Sequence, residues 1–430
     1  MSLVPFRFVH AANLRLDEPL AGVGLGLTGA TRQVAEEATL IAWDRIVDIA
    51  IEARAAFLLL TGNTFDEETR SLRARVALQR GLEKLDRSGV EVFIVPGKTD
   101  PIEAWDHDIS LPENVTILCD ERDEPVLVRR EGRTIASVRV VATPQSDEAD
   151  WGPNGPATFS DVSAPFHVGL VPSGTPILWS GSDPEPISRP DISRAAATLV
   201  KAAMAAGMDY IALGAGERRT HRYAGGQAHD PGVVQSLTRH ISGPCGVSIV
   251  DVLPSGQVNI APSTVAPVRW ENIGVDVEPE ETWDDLVERM SLALLEREPD
   301  SDDKMWIVRW KLRGNSEVLD SLSDPKNCRD LWQLIEAEVA EHHSLLRIHQ
   351  LSREPLWDHL ISASEETLGH TFLEILDEQS NQLLSRVQQE LIQSAGEDRS
   401  AAHILSEVVE TTANERVVSQ ARKVGMKWLV

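Results

Sequence analysis

Three observations on the first 262 residues predict an α/β sandwich. Short apolar runs alternate with segments of helical periodicity, the pattern of a largely parallel sheet covered on both faces. Two runs rich in β-branched residues flank Glu131-Gly132-Arg133, a hairpin signal. Trp151–Pro165 and Ser173–Pro190, rich in Pro, Gly, Ser and Asp, read as long surface loops, which in such folds sit at strand ends where ligands bind.

In chain order, Phe6–Ala11 reads as a strand and Leu40–Arg54 as a helix, with Trp43, Ile46, Val47 and Ala50 at helical spacing. Phe57–Leu60 is a strand, Ser71–Arg87 a helix and Val92–Val95 a buried strand. Val115–Leu118, Val126–Arg130 and Thr134–Ala142 follow as strands, then Phe166–Val171, a helix over Ile192–Ala206, Tyr210–Leu213 and Val247–Leu253. Residues 263–355 read as a small α/β domain: a strand at Val268–Val277, a helix at Thr282–Glu296, an alternating strand at Met305–Arg313, a helix at Cys328–Glu341 and a strand at Ser344–His349. From 356 to 430 the apolar spacing of Leu360, Leu368, Phe372, Ile375, Leu376, Leu383, Leu384, Val387 and Leu391 is helical, and no internal repeat is visible.

Composition narrows the class. With 42% hydrophobic and 25% charged residues the chain is an ordinary globular sequence. Its formal charge of -26 argues against whole-surface attraction to nucleic acid, though not against a local basic groove. Cys119, Cys245 and Cys328 lie far apart in no metal or redox spacing, as expected of incidental thiols in a reducing compartment. The N-terminus lacks a signal-peptide pattern, and no apolar run reaches the ~18–20 residues that span a bilayer, so a cytoplasmic, membrane-free protein is expected.

Five strand-end segments carry the chemical information: His10-Ala11-Ala12-Asn13-Leu14-Arg15-Leu16-Asp17, Thr61-Gly62-Asn63-Thr64-Phe65-Asp66, Gly97-Lys98-Thr99-Asp100, Leu170-Val171-Pro172-Ser173, and Asp209 to Arg219 with Gly214-Ala215-Gly216-Glu217 at its centre. Together they resemble the motifs of the SbcD-type DNA repair exonucleases, within the calcineurin-like metallophosphoesterase superfamily, and the helical C-terminal extension is similar to that of the YhaO-like branch. The resemblance implies a four-layer metallophosphoesterase sandwich, two mixed sheets flanked by helices, with a small α/β capping domain and a helical C-terminal region that docks a partner. In that family two cations, usually manganese, activate water and clamp the scissile phosphate.

Every ligand or catalytic position of that frame is substituted. Asn13 and Arg15 stand for a metal-binding Asp and His, and Asn63 for the carboxylate bridging both metals. Lys98 and Thr99 stand for the Asn ligand and the catalytic His, Pro172 for a ligand His, and Ala215 and Glu217 for the last two His ligands. The framing residues Asp17, Gly62, Asp66, Gly97, Asp100 and Gly214 remain. The expectation is a catalytically degenerate pseudonuclease without metal cofactor. The resemblance implies an SbcC-like SMC-type coiled-coil ATPase as partner, a homodimer and contact with DNA. Two other readings stay open: an active metal-dependent exonuclease or phosphoesterase with a rebuilt site, and a phosphate- or nucleotide-binding module using Arg15, Lys98, Arg218 and Arg219.

Removing two divalent ions would leave Asp17, Asp66, Asp100 and Glu217 facing one another, so Arg15 and Lys98 are expected to replace the metals electrostatically by pairing with Glu217 and with Asp66 or Asp100. His10 is expected to be a structural hydrogen-bonding residue, His167 to pack in a strand, and His221, His229 and His107 with Asp106 and Asp108 to lie in solvated loops. Trp306 and Trp310 are expected in the core of the small domain.

Overall fold

This computed structural model describes residues 3–23, 27, 29–106, 110–119, 124–141, 164–171, 200–201, 203–314, 316–340, 342 and 345–354. These contain two six-stranded mixed sheets and a three-stranded sheet. In the first sheet, β1 (Phe6–Ala12), β2 (Phe57–Thr61), β3 (Glu91–Val95) and β4 (Val115–Ile117) run parallel. The antiparallel strands β11 (Gly246–Val252) and β12 (Val258–Thr264) extend it beyond β1. In the second sheet, β6 (Arg133–Val140), β7 (His167–Leu170), β8 (Tyr210–Ala212) and β10 (Gln227–Asp230) are parallel. β5 (Val126–Arg130) and β9 (Arg219–Arg222) close its two edges antiparallel. The β5–β6 turn has Glu131 at φ 51° and Gly132 at φ 74°, the doubly left-handed geometry of a tight hairpin.

Period-two alternation sorts the side chains into layers. Phe6 and Phe8, Phe57 and Leu59, and Phe93 and Val95 point between the sheets, where they meet Val138, Val168 and Tyr210. Phe8 stacks on Phe57 at 4.7 Å and meets the Tyr210 ring edge-on at 5.1 Å. A short helix, α1 (Gly29–Glu36), leads into α2 (Ala38–Glu52), and α3 (Leu72–Arg87) follows β2. The intervening Val9, Ala11, Leu58, Leu60, Val92 and Ile94 face α2 and α3. Beyond the second sheet, Ile211, Leu213 and Ala228 pack with Val200, Ala203 and Met204 of a helical segment. The order helix, sheet, sheet, helix is the predicted four-layer sandwich.

By internal contacts the chain divides into two compact units. One comprises Met1–Pro19, Gly29–Leu237 and Pro244–Arg269; the other comprises Leu20–Thr28, Thr238–Gly243 and Trp270–Val430. The cut falls at Trp270 rather than at residue 263, because β12 pairs with β11 as far as Thr264. Within the second unit, β13 (Val268–Val277), β14 (Met305–Gly314) and β15 (Leu346–Glu354) form the small sheet. Trp306, Val308, Trp310 and Leu312 pack against helices Trp283–Leu295 and Pro325–Val339, so both tryptophans are core residues as expected. A capping box between Thr282 and Asp285 starts the first of these helices, and the Asp324 side chain caps the second. The predicted C-terminal helical region, 356–430, lies outside the described residues, as do most of Ile192–Ala206 and both long loops.

β1, β2 and β3 end in register, with Ala12 opposite Thr61 and Thr61 opposite Val95. The segments beginning at Asn13, Gly62 and Pro96 therefore leave the same sheet edge side by side. α3 packs on α2 through a close approach at Gly81, where a Cβ would fall 2.4 Å from Nε1 of the fully buried Trp43. Helix propensity alone would favour Gly81→Ala by about 1 kcal/mol. The indole has no room to retreat, so overpacking wins and the variant is expected to lose about 1–3 kcal/mol. Urea unfolding checks this; a variant as stable as the parent would show that α3 can shift outward.

Candidate functional site

Four strand-end loops of the first unit meet at the C-terminal edges of β1, β2, β3 and β8. Backbone bonds fasten the first two. The Arg15 N–H donates to Asn63 O at 2.9 Å, and the Leu16 N–H to Thr64 O at 2.9 Å. The loops are tightly wound, with Asn13, Arg15, Asp17 and Asn63 all left-handed at φ 52°, 46°, 61° and 45°. Asn and Asp adopt that region far more readily than other residues that carry a side chain, so three of these four positions suit their residues.

Two carboxamides join all four loops. Asn63 Oδ1 accepts from the backbone N–H groups of Lys98 at 3.1 Å and Thr99 at 3.3 Å, and from Thr99 Oγ1 at 3.3 Å. Asn63 Nδ2 donates to Asn13 Oδ1 at 2.9 Å, and Asn13 Nδ2 donates to Gly214 O at 3.0 Å. The retained glycines make this approach possible. A Cβ at Gly97 would lie 2.1 Å from Asn63 N, and one at Gly214 would lie 2.5 Å from Thr61 O.

Two buried carboxylates brace the junction. Asp100 Oδ1 accepts from Gly97 N at 2.8 Å and Oδ2 from Thr64 N at 3.1 Å, tying the second loop to the third. Burial outweighs these donors and pushes its carboxyl up to about 6. Asp230, at the end of β10, accepts from Ala215 N at 2.6 Å, Gly216 N at 3.1 Å and Gly232 N at 2.8 Å, and burial raises its pKa as well. The motif comparison missed Asp230; its only sequence signal is its place before Pro231-Gly232.

Behind the loops, between the sheets, lies a polar seam. His10 has Nδ1 2.9 Å from Tyr210 Oη and Nε2 3.1 Å from Thr61 Oγ1, and Thr61 Oγ1 donates to Leu213 O at 3.1 Å. A neutral His10 protonated on Nε2, accepting from the tyrosine, satisfies the whole chain. Burial agrees, holding the His10 pKa well below its usual value and that of Tyr210 well above. His10 is thus structural, as expected. His229 is not in a solvated loop. It lies in β10, bonded to Thr220 and Ser248 at 2.7 Å each, and burial, with the charge of Arg218, lowers its pKa to about 4. His221 likewise lies in a strand, β9, while His167 lies in β7 beside Ser137 as expected. These strands escaped the sequence reading because β9 and β10 have four residues each and are mostly polar. His107 and Asp108 lie outside the described residues.

The expected charge pairing is corrected. Arg15 binds Glu18, with Nη2 to Oε2 at 2.6 Å, and not Glu217. Glu217 pairs with Arg219 at 2.7 Å on the exposed surface. Lys98 is exposed, and its side chain makes no ion pair with Asp66 or Asp100 among the described residues. Asp66 accepts from Glu68 N within its own turn, and Asp17 from Ser71 Oγ, with Arg73 3.5 Å away. The carboxylates thus disperse to local partners. Arg218 donates through Nε to Pro231 O at 3.1 Å. Pro172 lies outside the described residues.

The donor set does not fit a two-cation centre. Asn63 Oδ1 and Asn13 Oδ1 are aimed at N–H groups, Arg15 and Lys98 are cations, Ala215 carries only a methyl group, and Glu217 is turned to Arg219. Among the described residues no group of three or more His, Cys, Asp or Glu side chains is arranged to hold a metal ion.

Comparisons with known proteins find similarity to YhaO metallophosphoesterases over part of the chain. Residues 270–368 match the family model "Metallophosphoesterase YhaO, middle domain". The chain is 31% identical over 286 residues to "Uncharacterized metallophosphoesterase YhaO" of Bacillus subtilis (strain 168), a match covering 64% of this chain and 64% of that relative. Among solved structures, the protein TT1561 of Thermus thermophilus is 12% identical, with 60% of this chain and 99% of that chain covered at a TM-score of 0.36. Another solved chain is 14% identical, with 61% and 100% covered, also at 0.36.

The buried Asp100 yields a test by pH. Its folded pKa of about 6 exceeds the unfolded 3.8, so between these values the folded state holds the extra proton and stability falls as pH rises. Asp100→Asn removes this titration and leaves one of the two backbone N–H groups facing an amide NH₂. The parent is therefore expected to be the more stable at pH 4, and its advantage to shrink by roughly 2.4 kcal/mol by pH 7. Denaturant unfolding across that range measures the gap; a gap independent of pH would mean that Asp100 titrates normally.

Proposed function

We propose that the chain is a catalytically degenerate, SbcD-like member of the metallophosphoesterase fold, a pseudonuclease with an architectural or regulatory role. The observation that carries this reading is Asn63. At the position that would bridge two metals stands a carboxamide whose oxygen accepts from Lys98 N and Thr99 N, and whose nitrogen donates to Asn13. The other described positions carry Asn13, Arg15, Lys98, Thr99 and Ala215, with the one carboxylate, Glu217, paired to Arg219, which supports the same reading and weighs against an active site rebuilt for metal. A phosphate-binding module is less favoured, because Arg15 and Arg219 are already neutralised by Glu18 and Glu217.

In this proposal the protein works in the cytoplasm with an SMC-type coiled-coil ATPase, docked through residues 356–430, and pairs with a second copy through helices of its first domain. DNA is then met by the assembly, and not through whole-surface attraction to a chain of formal charge -26. Among the described residues no helix is long and apolar enough to cross a membrane. The decisive test is the metal content of the purified protein together with a manganese-dependent assay on linear duplex DNA. Substoichiometric metal and no cleavage are expected. Robust cleavage abolished by Asp66→Ala would overturn the proposal.

A further inference from the structure

We propose that the Asn13–Asn63 carboxamide pair has taken the place of a cation at the loop junction, so that the four loops close without metal. This rests on the pseudonuclease reading and deepens it.

The pair forms a relay with one direction. Backbone N–H groups of Lys98 and Thr99 feed Asn63 Oδ1, Asn63 Nδ2 feeds Asn13 Oδ1, and Asn13 Nδ2 feeds Gly214 O. Neither amide can be turned round. A reversed Asn13 would set its oxygen against Gly214 O, and a reversed Asn63 would set its NH₂ against two N–H donors. Two nitrogens thus provide the positive partners that hold three oxygen-bearing groups at close range.

Aspartates at these positions would remove both nitrogens. An ionised carboxylate only accepts. Two anionic oxygens would then face each other across the 2.9 Å now spanned by Asn63 Nδ2 and Asn13 Oδ1, and a carboxylate oxygen would face Gly214 O across the present 3.0 Å. Those spacings have a geometric meaning. Neighbouring ligands of an octahedral ion with metal–oxygen distances of about 2.1 Å lie about 3 Å apart. The relay's spacings are ordinary N–H···O hydrogen-bond lengths that equal this separation, so N–H protons and a divalent ion hold oxygen-bearing groups equally far apart. The backbone allows the exchange of chemistry, since Asn13 and Asn63 are left-handed and Asp tolerates that region as Asn does.

The test is the double variant Asn13→Asp/Asn63→Asp, with each single variant beside it, probed with manganese(II) alone and with EDTA. In the parent, unfolding is expected to be the same in both. Each single variant is expected to raise the unfolding equilibrium constant about tenfold, from a buried acceptor facing an acceptor. The double variant is expected to gain cation dependence: at manganese about 100 times the dissociation constant its folding constant rises about hundredfold over that in EDTA. If the double variant is unfolded in EDTA, recovery of its circular dichroism on adding manganese supports the proposal, and continued unfolding overturns it. A folded double variant indifferent to manganese also overturns it and leaves the pseudonuclease reading standing. Manganese-dependent DNA cleavage by the parent overturns that reading separately.

Discussion

The chain of hydrogen bonds from Lys98 and Thr99 through Asn63 and Asn13 to Gly214 is the constraint around which this sandwich is arranged at its functional end. It joins the loops after β1, β2, β3 and β8, and so ties the two sheets where their strands stop. Hydrogen bonds of this kind contribute only about 0.5–1.5 kcal/mol each. Their importance lies in what would follow from losing one, since Asn13 is buried and an unmatched amide there costs more than the bond supplied.

The junction can be this close only because its surroundings were prepared by packing. The aromatic layer of Phe8, Phe57, Phe93 and Tyr210 sets the distance between the sheets, and the register Ala12–Thr61–Val95 aligns three of the loops. Asp100 and Asp230 then hold the third and fourth loops by their backbone amides. Both carboxyls are raised because desolvation by burial outweighs the lowering effect of these N–H donors. The seam of His10, Thr61 and Tyr210 binds the same strands one layer deeper, with His10 kept neutral by burial.

Much of this was legible in the residues. Long periodic segments such as Leu72–Arg87 and the alternating Trp306–Leu312 fell where their spacing put them, because burial on one face enforces the period. The five segments that carry the site were also legible, and four of them converge, while the fifth is described only at Leu170 and Val171, which lie in the core. Two things were not. β9 is short, polar and largely exposed, and β10 is short and polar with His229 bonded to Ser248 of the opposing sheet, so no local apolar pattern announces either strand. Pairing was misjudged for a second reason. Arg15 and Glu217 were matched as opposite charges in one pocket, yet each found a nearer partner three or two residues away in sequence, Glu18 and Arg219. Flexible charged side chains at a surface choose local partners at little entropic cost, and sequence motifs say nothing about that choice.

The retained frame now has a physical reason that does not pass through catalysis. Gly97 and Gly214 resembled the relics of a metal-binding pattern. Each is required by a close approach: Asn63 N lies where a Cβ of Gly97 would intrude, and Thr61 O where one of Gly214 would. Asp100 likewise staples Thr64 to Gly97 through their backbone N–H groups. On the proposed reading, joining these loops without metal still requires these residues. Asn13 and Asn63 fall between the framing residues and the substituted positions. They stand where the resemblance implies ligands yet make the bonds that join the loops, and an Asn differs from an Asp only by its amide, whereas Ala215 and Arg15 share no ligand chemistry with the His residues the resemblance implies.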